Sequence, residues 1–98
     1  MNYTLIILCL SLVACESSVV RREDYIANHP EWMPSTNDMI RQGYLLKGMT
    51  KEQVIAAWGK PCSSCNGTVT REWGETWEYD TQVVYFDNSG VLIRWTAK

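Results

Sequence analysis

The chain predicts an α+β fold, with two helices packed on one face of a three- to four-stranded antiparallel β-meander. Three observations predict it. Gly48–Pro61 reads as a short helix with both ends specified. After Pro61 the apolar period changes from about 3.6 toward 2. The last strands are joined by links so short that neighbours must run antiparallel.

The helix is specified residue by residue. Thr50 is an N-cap whose hydroxyl can accept from first-turn N–H groups. Gln53 completes the spacing of a capping box, and Met49 with Val54 that of a hydrophobic staple. Val54, Ile55 and Trp58 form one apolar stripe. Gly59 can take a left-handed conformation, and Pro61 forbids continuation. A helix this short is unstable alone, so it must pack on the strands. Upstream, Glu23–Asn28 suits one or two helical turns, and Asn28-His29-Pro30 and Met33-Pro34 are breakers. Ser35 or Thr36 can cap a second helix running to about Leu46, with Met39, Ile40 and Tyr44 on one side and Gly43 weakening it.

Strands are expected at Thr68–Trp73, Glu75–Tyr79, Gln82–Phe86 and Val91–Thr96, with turns at Asp80-Thr81 and Asp87–Gly90. Pairing Tyr79 with Gln82 sets Trp77 opposite Val84, and pairing Phe86 with Val91 sets Val84 opposite Ile93. Trp77, Tyr79, Val84, Phe86, Val91, Ile93 and Trp95 then face the helices, and Trp58 joins them in the core. Thr76, Glu78, Val83, Tyr85, Leu92 and Arg94 share the far face. There Val83, Tyr85 and Leu92, bordered by Arg94 and Glu78, make an apolar patch with a polar rim, the composition of a partner site.

Ninety-eight residues make one domain, and a hydrophobic fraction of 46% with five tryptophans excludes a disordered chain. A net charge of −2, with no basic run longer than Arg21-Arg22, excludes a dedicated nucleic-acid binder. Leu5–Val13 is an apolar run far short of the roughly 20 residues that span a bilayer, and it suits the core of a secretory signal peptide. Leu12-Val13-Ala14-Cys15 resembles a lipobox. That resemblance implies cleavage before Cys15, lipidation of its thiol and acylation of its amine, and so stable anchoring by several acyl chains. It divides the chain into a signal peptide at 1–14, a lipidated cysteine and polar tether at 15–23, and a folded domain at 24–98. Glu16, rather than aspartate, follows the cysteine and points to the outer membrane.

Gly48-Met49-Thr50, Gln53-Val54, Gly59-x-Pro61, Trp77-x-Tyr79 and Phe86 followed by Ser89-Gly90-Val91-Leu92 together resemble the SmpA/OmlA (BamE-like) family of small outer-membrane lipoproteins. The resemblance covers roughly Asp24 to Trp95. It implies a palmitate-bearing, periplasm-facing, non-enzymatic accessory module whose protein partner belongs to the envelope, with the β-barrel assembly machinery as the candidate. A short loop carrying Cys62 and Cys65, and the Asn28–Trp32 stretch, suit a divergent short member. None of the family's binding residues map onto motifs here.

Two other readings stand beside this one: a standalone binder or inhibitor on the same fold, and a small thiol–disulfide redox protein. The second would use Cys62-x-x-Cys65. An exported pair favours a structural disulfide or a merely adjacent pair, because redox motifs sit at helix N-termini and this one follows a helix end. Two cysteines and the single His29 do not supply the four ligands of a zinc site, so no metal or cofactor is expected. His29 reads as a surface turn residue, and no nucleophile–base set is present for hydrolysis.

Overall fold

The computed structural model describes residues 17–61 and 68–98. Among these residues three helices precede four strands: α1 Ser17–Ala27, α2 Pro34–Gln42, α3 Lys51–Trp58, then β1 Thr68–Arg71, β2 Gly74–Glu78, β3 Gln82–Asp87 and β4 Leu92–Ala97. The strands form one antiparallel meander in the order β1-β2-β3-β4. The expected α+β architecture is present, and the one or two turns expected at Glu23–Asn28 are the second half of a longer helix that starts at Ser17.

Helix α3 is built as its ends specify. Gln53 N–H donates to Thr50 Oγ1 at 3.1 Å, and Thr50 N–H donates to Gln53 Oε1 at 3.0 Å. Such a cap contributes about 1 kcal/mol. Met49 and Val54 are both buried. The apolar stripe is broader than expected, because Ala56 and Ala57 are fully buried while Ile55 and Trp58 are partly so.

Helix α2 starts and stops earlier than expected. Pro34 occupies its first turn, where a missing N–H costs nothing, and extended Met33 precedes it in place of a Ser or Thr cap. Gly43, at φ 77°, ends the helix, and Tyr44 N–H closes onto Met39 O at 2.9 Å. The chain therefore leaves before Tyr44 can join the apolar side. Leu45 turns into the core instead, and Tyr44 is 56% exposed.

The expected tether is also corrected. Ser17–Arg22 belong to α1, and their two arginines dock. Arg21 donates to Ala56 O at 3.1 Å and Ala57 O at 3.0 Å, and Arg22 donates to Ala57 O at 3.0 Å. These are the orphan carbonyls at the end of α3, where cations suit both the hydrogen bonds and the helix dipole. Desolvation by burial pulls the Arg21 pKa below its usual value. Beside it, Tyr79 donates its hydroxyl to Gly59 O at 2.7 Å, and burial holds that hydroxyl's pKa well above the usual tyrosine value.

The core lies between the helices and one face of the sheet. Ile40, Val54, Ala56 and Ala57 supply the helical side, and Trp77, Val84, Phe86 and Leu92 the sheet side. Trp77 stands opposite Val84 as expected. The next register differs. Phe86 pairs with Leu92 and Tyr85 with Arg94, leaving Ile93 as the extra residue of a β-bulge. Leu92, expected on the far face, is thus 1% exposed in the core, and Ile93, expected inside, is 39% exposed. Past the bulge, Trp95 stands opposite Val84 and packs against the core.

The bulge has a visible cause. Gly48 N–H donates to Leu92 O at 2.9 Å and Leu92 N–H to Met49 O at 2.8 Å, so the loop before α3 pins Leu92 from the outer edge. Asp87 Oδ1 accepts from Ser89 N–H and Val91 N–H, which fixes the preceding turn.

Candidate functional site

Among the described residues no helix covers the far face of the sheet, and this face is the candidate site. Alternation along β2 and β3 sends Thr76, Glu78, Val83 and Tyr85 to it, as expected. Together with Val69, Arg71 and Trp73 they line an open concavity of about 470 Å³. Arg94, opposite Tyr85 in the ladder, lays its guanidinium carbon 3.9 Å from the Tyr85 ring centroid. At a site this open a cation–π contact contributes about 0.5–1 kcal/mol. Its larger effect is to hold the tyrosine ring and the positive charge together at one rim.

Trp73 meets Tyr85 from the other side, with ring centroids 6.1 Å apart at a tilt of 32°. The strand pattern places Trp73 at the end of a strand. It is instead in the two-residue link between β1 and β2, 44% exposed and turned over the sheet. Gly74 makes that position accessible. A β-carbon there would stand 1.9 Å from Phe86 O, so only glycine lets β2 start so close to β3. Glu72-Trp73-Gly74 between two β-rich runs is the sequence signal for this turn.

Of the four residues expected to form the partner face, Val83, Tyr85 and Arg94 come together and Leu92 does not. Val69, Arg71 and Trp73 are the additions. Lys98 pairs with Glu78 at 2.9 Å at one border. Thr76 Oγ1 has no hydrogen-bond partner among the described residues. The surface therefore combines two aromatic rings, two valines, two arginines and an ion pair, a composition suited to protein contact.

The opposite side of the molecule carries a second cluster. His29 is not a bare turn residue. It is one-fifth exposed, stacked 4.1 Å from Trp32 and 6.1 Å from Tyr25. Its Nδ1 lies 2.8 Å from Tyr25 O, and Nε2 lies 3.4 Å from Glu52 Oε1. A carbonyl can only accept, so the ring's proton sits on Nδ1 when histidine is neutral. The hydrogen bond to Tyr25, and then the Glu52 and Glu31 charges, raise the His29 pKa. This arrangement ties the α1–α2 connection to the first turn of α3.

Cys15, Cys62 and Cys65 lie outside the described residues, as does the expected signal peptide. Among the described residues no group of three metal-ligating side chains converges, and no helix is long and apolar enough to cross a membrane. Comparison with protein-family models, with curated proteins and with solved structures finds no match to this chain.

Proposed function

We propose that this chain is a periplasm-facing lipoprotein, anchored in the outer membrane through Cys15, that works without catalysis by binding an envelope protein on the far face of its sheet. The observation that carries the reading is the Trp73–Tyr85–Arg94 cluster. Aromatic residues and arginine are the residue types that dominate binding energy at protein interfaces, and here they lie on a face that the domain's own core does not use. The resemblance of Gly48–Pro61 and Trp77–Leu92 to the SmpA/OmlA family supports the β-barrel assembly machinery as the source of that partner.

The test is affinity capture of the tagged protein from detergent-solubilised envelope, beside a Cys15→Ser control. Recovery of barrel-assembly subunits with the wild-type chain supports an accessory role in outer-membrane protein assembly. Reproducible recovery of a single other envelope protein would replace it with the standalone-binder reading. Recovery of nothing above the control would remove both.

A further inference from the structure

The start of α1 carries two exposed valines, Val19 at 56% and Val20 at 40%, at the point where the described chain begins. Only Glu16 separates Ser17 from Cys15. Two Cα–Cα steps of about 3.8 Å keep the Cys15 Cα within about 7.6 Å of the Ser17 Cα. Val19 and Val20 follow within one helical turn, at about 1.5 Å of rise per residue. A lipid on Cys15 therefore holds both valine Cα atoms within about 12 Å of the Cys15 Cα, beside the bilayer surface in which the anchor sits.

This end of α1 is rigidly part of the domain. Arg21 and Arg22 bind the last carbonyls of α3, and Arg22 also reaches Arg41 O at the end of α2. At the other end, His29 meets Glu52 in the first turn of α3. Helix α1 thus runs antiparallel to α3, and one end of the molecule gathers the start of α1 with the ends of α2 and α3. Tyr44, 56% exposed, follows Gly43, whose backbone lies against the Arg22 guanidinium. Exposed Lys60 follows Gly59, whose backbone lies against Arg21. Tyrosine suits the bilayer interface and lysine its anionic headgroups. Met33, 65% exposed, lies between His29 and α2, at the opposite end of α1.

We propose that this end is a membrane seat. Val19, Val20 and Tyr44 bed into the lipid surface beside the anchor, with Lys60 over the headgroups. The domain is then held in one orientation on the bilayer rather than on a flexible leash. This rests on the lipidation of Cys15 proposed above.

The experiment places a photo-reactive p-benzoylphenylalanine at position 19, 44 or 33 of the full chain, made in cells that process lipoproteins and reconstituted in phosphatidylethanolamine/phosphatidylglycerol vesicles. Intact mass and vesicle flotation are read first, then phospholipid adducts after irradiation. Adducts at 19 and 44, with background at 33, are expected. Position 44 is decisive, since it is remote from Cys15 in sequence and reaches lipid only through the folded seat. A lipidated, floating protein with background at 44, or with equal adducts at 33, overturns the seat while leaving the anchor standing. A chain that neither gains the lipid mass nor floats overturns the anchor, and the seat with it.

Discussion

At Gly74 the backbone leaves no space for a side chain. The atom nearest to an added β-carbon would be the Phe86 carbonyl oxygen, part of the sheet's own ladder, which cannot move aside alone. Gly74→Ala should therefore destabilise the domain by about 2–4 kcal/mol in denaturant unfolding. Gly43 is the contrast. Its φ of 77° also disfavours alanine, but the atom in the way belongs to the flexible Arg22 side chain. Gly43→Ala should cost about 1–2 kcal/mol. Equal losses at the two sites would contradict this account. His29 gives a pH dependence of definite sign. Its pKa is raised in the folded chain, first by the bond to Tyr25 O and then by Glu52. The linked stability is present below the unfolded value of about 6.5 and lost as pH rises through the folded pKa. Melting temperature should fall across that window in the wild type, fall less in Glu52→Gln and stay level in His29→Gln. A wild-type profile matching His29→Gln would count against the linkage.

At the scale of elements, β4 holds the most consequential difference between sequence and structure. Leu92 and Ile93 are adjacent, both β-compatible, and one residue of register exchanges them between core and surface. Leu92→Ala should cost about 2–5 kcal/mol, and Ile93→Ala much less, about 1 kcal/mol. Chemical denaturation of the two variants checks the order. Helix α3 is legible in the sequence because its signals are local: Thr50 and Gln53 close on each other within one turn. The bulge is not, because its cause is a pair of hydrogen bonds, Gly48 N–H to Leu92 O and Leu92 N–H to Met49 O, between segments far apart in the sequence. The first half of helix α1 is hidden for the same physical reason. Ser17–Arg22 has no apolar periodicity, and what orders it is the binding of arginines to carbonyls of another helix. Arg21→Ala should remove two of those bonds and destabilise by about 1–3 kcal/mol, with the loss of protection in α1 amides visible by hydrogen exchange. The far face is legible in Val83, Tyr85 and Arg94, which follow strand alternation, and not in Trp73, which reaches it only through a two-residue turn.

For the whole molecule, the sheet has two faces of different make-up, and the proposed function assigns binding to the outer one. One face, with Trp77, Val84, Phe86 and Leu92, closes the core against the helices, and the other presents Val83, Tyr85 and Arg94 with Trp73. Substitution on the outer set should change association while leaving folding intact, and substitution on the inner set should do the reverse. The most direct measurement compares Tyr85→Glu with wild type in two readings, thermal unfolding of the purified domain and capture of its partner from solubilised envelope. The account predicts a melting temperature within a few degrees of wild type and loss of the captured partner. Undiminished capture by a well-folded Tyr85→Glu variant would contradict it, because the far face would then not be the surface through which this protein acts.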